Sequence, residues 1–240
     1  MTWNRRRLLK TALAGSSLLL ARLPAYAQDG NALLRAPRQA LVIGNSRYSR
    51  APLANPVNDA QGMTEALRGI GFEVTTGLDL SRDAMQEAVG AYIGGLRRSG
   101  AVGLFYFAGH GMQLAWRNYL LPVDAEIASA GELRQRAFDI NSLIDGIRNA
   151  GNPMNMIILD ACRDNPLGGA ARAEQKGLSQ MDAPPGTFLA YATAPGNTAI
   201  DGDGGKHGLY TEHLLREIRV PEAKVEDVFK RVRLGVRRRS

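Results

Sequence analysis

The sequence predicts one α/β domain built on a mostly parallel, doubly wound sheet. Three observations lead there. Short apolar runs alternate with helical patterns along the chain. Several of those runs are apolar throughout, as strands covered on both faces must be. Glycine turns or capping residues separate the segments.

Taken in order, residues 40–45 (ALVIGN) form an apolar run stopped by a glycine turn, which reads as a strand. Asn55 and Pro56 read as an N-cap and a first-turn proline. Val57, Ala60, Met63, Leu67 and Ile70 then keep helical spacing as far as Gly71. Residues 72–76 are a second strand. Ser81 opens a helix with Met85, Ala88, Val89, Tyr92 and Leu96 on its apolar face, ending near Gly100. Residues 101–107 are a third strand, buried on both faces. Asp139 opens a helix carrying Ile140, Leu143, Ile144 and Ile147, and Gly151 stops it. Residues 156–159 are a fourth strand and residues 187–192 a fifth. Between these two lies a polar loop, residues 164–185, long enough to suggest a functional segment. Residues 208–218 and 225–236 read as helices. The chain stops inside a helical pattern, which suggests a fragment or a missing further strand.

Composition is that of a globular protein, with 45% hydrophobic and 22% charged residues. The formal charge of +7 comes largely from the amino terminus. Residues 1–27 combine a basic start (Arg5, Arg6, Arg7, Lys10), a moderately apolar stretch and an Ala25-Tyr26-Ala27 site. This reads as a secretory signal peptide of twin-arginine type, with an apolar stretch too short to span a bilayer. Removing it takes away five basic residues and no acid, so residues 28–240 carry a net charge of +2. The expected location is periplasmic or secreted, without stable membrane insertion after signal removal. The charge gives no case for nucleic acid. The basic run near the C-terminus (Lys230, Arg231, Arg233, Arg237, Arg238, Arg239) reads as a solvated helix face.

The single cysteine, Cys162, follows the apolar run 156–159 and stands between Asp160 and Asp164, beside Arg163. It cannot form an intramolecular disulfide, and in an exported protein a lone cysteine is a liability. It is either a small buried hydrophobe or a functional group at the carboxyl edge of the sheet, where open α/β folds bind ligands. A second unusual stretch is Phe107-Ala108-Gly109-His110-Gly111, where a histidine leaves a buried strand between glycines. Taken alone, such a histidine is as readily structural. If the two strands are parallel neighbours, their ends lie about 5 Å apart, and His110 and Cys162 converge as a base and a nucleophile. His207 and His213 have no comparable setting.

The element Gly109-His110-Gly111, followed 52 residues later by Asp160-Ala161-Cys162, resembles the caspase/metacaspase clan of cysteine peptidases, in which the histidine precedes the cysteine by about 50 residues. The resemblance runs from about residue 40 to 218. It takes in Asn58-Asp59, Asn118-Tyr119-Leu120-Leu121-Pro122 and Gly208-Leu209-Tyr210-Thr211. It implies a caspase-like three-layer α/β/α sandwich and a cysteine endopeptidase. Cys162 would attack the scissile carbonyl, His110 would handle the proton, and the N–H groups of Gly111 and Cys162 would form the oxyanion hole. No third member of a triad is evident. In metacaspase-like relatives, acids at the places of Asp59 and Asp160 line a pocket for Arg or Lys, so the implied partners are proteins or peptides with basic residues.

Each acid also has a plainer reading. Asp59 suits the first turn of a helix, and Asp160 could hold the strand-end backbone. Ala108 stands where the metacaspase pattern often has serine, so one pocket hydroxyl is missing. Arg47 and Arg50 are candidate competitors for the two acids. Arg172 and Lys176, in the long loop, form a candidate self-processing site. The sequence requires no cofactor and has no zinc pattern. Calcium activation stays open, because Asp124 and Glu126 match no clear motif. Oligomeric state is not readable. Two rivals remain: a non-catalytic caspase-fold scaffold, and a flavodoxin-like domain holding a phosphate at Gly44-Asn45-Ser46. Gly204-Gly205-Lys206-His207 lacks the hydroxyl residue of a P-loop.

Overall fold

The computed structural model describes residues 30–162, 178–192 and 205–239. A short helix, α1 (Gly30–Arg35), comes first. The domain that follows runs β1 (Arg38–Gly44), α2 (Pro56–Gly69), β2 (Glu73–Leu78), α3 (Arg82–Ser99), β3 (Val102–Leu114) and β4 (Arg117–Leu120). It continues with α4 (Ala130–Arg136), β5 (Phe138–Asp139), α5 (Ile140–Ala150), β6 (Asn155–Cys162), β7 (Thr187–Tyr191), α6 (Leu209–Glu217) and α7 (Val225–Arg239).

The parallel part of the sheet has the order β2-β1-β3-β6-β7. Side chains alternate across it, so each central strand feeds two cores. Leu41, Ile43, Phe105, Phe107, Ile157 and Leu159 pack with α3 and α5. Ala40, Val42, Leu104, Tyr106 and Ile158 pack with α2, α6 and α7 on the opposite face. This is the predicted three-layer sandwich, and the near-continuous apolar strands are its cause.

Capping residues behave as their chemistry requires. The Ser81 hydroxyl accepts from the Ala84 N–H, and Gly100 closes α3 in the left-handed conformation. The Asp139 side chain accepts from the Asn141 N–H, and Gly151 ends α5 the same way. Asn55 differs from expectation. It stands at the N-cap of α2 with helical backbone angles and makes no side-chain cap bond.

Two further differences bear on the site. The third strand does not end before Gly109. Its Val102–Leu114 span continues because β6 pairs with it as far as His110, and β4 pairs antiparallel beyond. The hairpin joining β3 to β4 turns through Ala115 (φ 49°) and Trp116 (φ 63°), both left-handed. With α4 it contributes to a third apolar cluster containing Tyr48, Met112, Tyr119, Leu121 and Leu133.

The close approach of α2 to the sheet depends on Gly44. A Cβ there would stand 2.6 Å from the Cβ of Ala60 and would collide with the Pro56 carbonyl. The turn after β1 is fully occupied by the fold's own bonds. The backbone N–H groups of Ser46 and Arg47 donate to Asp79 Oδ1 at 2.8 and 2.9 Å. The Asn45 amide, completely buried, donates to the Leu121 carbonyl and accepts from the Leu80 N–H. A phosphate at Gly44-Asn45-Ser46 would have to displace the Asp79 carboxylate, which removes the flavodoxin-like alternative.

Candidate active site

Parallel pairing of β3 with β6 sets Ala108 opposite Asp160 and His110 opposite Cys162. The two stretches singled out in the sequence therefore meet on neighbouring strands at the carboxyl edge of the sheet. Cys162 is described here by its backbone position alone.

His110 is 2% exposed and held from three sides. Its backbone N–H donates to the Tyr48 hydroxyl at 2.9 Å. The Tyr48 ring lies against the imidazole, with centroids 4.4 Å apart and a 53° tilt. Its Nε2 lies 2.7 Å from the carbonyl oxygen of Ala51. A carbonyl only accepts, so Nε2 carries the hydrogen and Nδ1 is the basic nitrogen of the neutral ring. Ala51 has φ 51°, an unfavourable backbone for a residue with a Cβ. Tyr48 in turn donates to the Leu121 carbonyl at 3.1 Å, which ties the segment to the end of β4. The Ala51 carbonyl thus orients the ring where a triad would use a side chain, and residue identities alone do not reveal it.

The flanking glycines have steric reasons. Gly109 has φ 153°, and a Cβ on it would meet the Tyr48 hydroxyl at 2.6 Å. A Cβ on Gly111 would stand 3.0 Å from both the Ala161 Cβ and Leu178 Cδ2. The Leu121 N–H donates to the His110 carbonyl, while Gly111 faces Leu120. That makes Gly111–Leu120 a non-hydrogen-bonded pair, so the Gly111 N–H is directed away from β4.

Asp59 and Asp160 converge from different elements. Asp59, in the first turn of α2, is 3% exposed. Its Oδ1 accepts from the Gly208 N–H at 3.1 Å and from His207 Nδ1 at 3.0 Å. Asp160 Oδ2 accepts from the Thr211 hydroxyl at 2.6 Å. Thr211 spends its single hydrogen there, so it accepts in turn from the Tyr106 hydroxyl, also 2.6 Å away. Burial, then the Asp160 and Asp59 charges, hold the Tyr106 phenol well above its ordinary pKa, and it remains a donor. A Cβ on Gly208 would stand 3.1 Å from Asp59 Oδ2 and 3.9 Å from Asp160 Oδ2, so the two carboxylates flank one residue. Asp59 stands in the first turn of α2, as the plainer reading has it, and is also bonded across the fold to the start of α6; Asp160 accepts from the Thr211 side chain.

Of the candidate competitors, Arg47 pairs with Asp79 at 3.0 Å and not with either acid. Arg172 and Lys176 lie outside the described residues. Asp124 accepts from the Arg82 N–H, and no cluster of potential metal ligands occurs among the described residues. His207 was passed over in the sequence. Its position immediately before Gly208-Leu209-Tyr210-Thr211 was the available signal.

The caspase-domain family profile matches residues 37–240. The chain belongs to that family, whose members are built on this α/β sandwich. Residues of the chain are 32% identical over 125 residues to human mucosa-associated lymphoid tissue lymphoma translocation protein 1, and 31% over 137 residues to its mouse homolog. These alignments cover 52% and 57% of this chain but only 15% and 16% of those much longer relatives.

Proposed function

We propose that the protein is a cysteine endopeptidase with a Cys162/His110 dyad that cleaves after Arg or Lys. The observation that carries this reading is the His110–Cys162 register at the carboxyl edge of the sheet, two residues beyond an acid that flanks Gly208 together with Asp59. Family membership supports peptidase chemistry at the coarser level.

In this reading His110 Nδ1 takes the thiol proton of Cys162, and the thiolate adds to the scissile carbonyl carbon. The carbonyl oxygen gains the electron pair and is stabilised by the N–H groups of Gly111 and Cys162. Collapse of this intermediate breaks the C–N bond, and His110 returns the proton to the departing amine. Water, deprotonated by the same imidazole, then hydrolyses the thioester. The Ala51 carbonyl stabilises the imidazolium formed in both halves.

Asp59 and Asp160 would receive the guanidinium or ammonium of the substrate. Paired carboxylates favour a bidentate cation and repel a substrate Asp. The absent hydroxyl at Ala108 leaves recognition to these charges. The reading requires no cofactor, and calcium is one variable of the test. Residues 1–27 would direct export as a twin-arginine-type signal and be removed.

The test is cleavage of fluorogenic peptides carrying Arg, Lys or Asp at the scissile position, with and without calcium, using residues 28–240 and Cys162→Ala. Cleavage after Arg or Lys that vanishes in the variant is expected. Cleavage after Asp would overturn the role given to Asp59 and Asp160. An inert protein would favour the scaffold alternative.

A further inference from the structure

The Asp59 carboxylate already has a histidine on it. His207 Nδ1 stands 3.0 Å from Asp59 Oδ1, on the acid to which the substrate's cation is assigned above. The ring is wedged between elements. A Cβ on Gly62 of α2 would stand 2.9 Å from its Cε1, while its side chain remains 19% exposed. The ring also lines a cavity of about 540 Å³ between α2 and α6, so protons reach it from solvent.

Neutral and charged forms of this ring have opposite consequences. A neutral imidazole donates one hydrogen to Asp59 and leaves the carboxylate's charge in place. An imidazolium at the same distance is an internal cation on the pocket's own acid. We infer that His207 is a specificity-determining residue that competes, when protonated, with the substrate's basic side chain for Asp59, so that acid weakens binding of Arg and Lys substrates. This inference rests on the acidic-pocket reading of the preceding subsection.

The groups facing His207 are Asp59 and Glu65 from α2, Lys206 beside it, and Glu212, Arg216 and Arg219 from α6 and the turn after it, with Asp160 beyond Gly208. Burial lowers the ring's proton affinity most, followed by Lys206; Glu212 opposes, Arg219 lowers it further, and Glu65 opposes. His207 is therefore mainly neutral near pH 7, and it takes its proton at a more acid pH than an ordinary histidine. By linkage, a bound guanidinium must push the His207 pKa lower still.

The test measures binding of a short acetylated peptide with arginine at the cleavage position to Cys162→Ala protein, which cannot turn it over. The comparison is the double variant Cys162→Ala/His207→Asn, at pH 5 and pH 7.5. With the histidine present, affinity should fall by about twofold or more at the lower pH, and in the double variant most of that fall should disappear. A second reading leaves His207 in place. Its Cε1–H resonance, titrated in Cys162→Ala, should report a lower pKa with peptide bound than without. Equal pH dependence in both proteins, or an unmoved His207 pKa, overturns the inference and leaves the peptidase reading standing. Failure to bind the arginine peptide at either pH overturns both.

Discussion

The Tyr48 hydroxyl accepts the backbone N–H of His110 at 2.9 Å and passes its own hydrogen to the Leu121 carbonyl at 3.1 Å. One side chain thus ties the histidine strand to the end of β4, at a point that only glycine at 109 leaves open. Tyr48→Phe keeps the ring contact and removes both bonds. Leaving a buried N–H unsatisfied costs about 1–3 kcal/mol. The variant should lose that much stability by denaturant unfolding. In the proposed peptidase it should also lower kcat more than it changes KM. Unchanged stability and kcat would show that Tyr48 is packing alone.

Asp160 depends on its hydroxyl donor. Thr211→Val preserves shape and leaves Asp160 Oδ2 without the 2.6 Å bond it accepts. Thr211→Ser restores the donor. Under the proposed function, KM for arginine peptides should rise in the valine variant, corresponding to about 1–3 kcal/mol for a lost charge-assisted bond, and recover with serine. Steady-state kinetics on the three proteins decides it. Equal KM for valine and serine would remove Thr211 from the pocket.

Gly44 sets the position of the helix that carries Asp59. Gly44→Ala forces a methyl against Ala60 and the Pro56 carbonyl, and overpacking of this kind costs about 1–3 kcal/mol. Thermal unfolding should show the loss. A variant as stable as the parent would mean that α2 moves without cost.

His213 makes stability depend on pH. It is 4% exposed, packed against Gly235 of α7, and its Nδ1 accepts from Arg216 at 2.9 Å. Burial first, and then Arg216, lower its pKa below the ordinary value. The folded protein therefore holds the neutral form, while the unfolded chain takes a proton as pH falls through about 6.5. Stability contributed by His213 is full above that pH and declines below it until the folded pKa is passed. Melting temperatures from pH 7.5 to 5 should fall more steeply for the parent than for His213→Gln. Parallel curves would exclude this residue as a source.

Much of the fold could be read from residue pattern because the signals are local. The apolar strands around Val42, Phe105 and Ile158, and the caps at Ser81, Gly100, Asp139 and Gly151, express chemistry within a few residues. The β3–β4 hairpin could not, because Ala115-Trp116 lacks the Asn or Gly that a left-handed turn favours. The extension of β3 was hidden by Gly109 and Gly111, which look like strand terminators. In the candidate site, His110 and Cys162 stand out by residue type and setting, whereas the pocket roles of Asp59 and Asp160 came only from the family resemblance. The Ala51 carbonyl has no side-chain signature, and His207 meets Asp59 across 148 residues of sequence. Such long-range pairings appear only when the sheet brings α2 and α6 together.

The most direct measurement is covalent labelling by an arginyl chloromethyl ketone, read by mass spectrometry of the intact and digested protein. The account predicts one adduct, at Cys162, forming far faster than with the aspartyl reagent. His110→Ala should slow it, as should Asp59→Asn and Asp160→Asn. No adduct at Cys162, or equal rates with arginyl and aspartyl reagents, would contradict it.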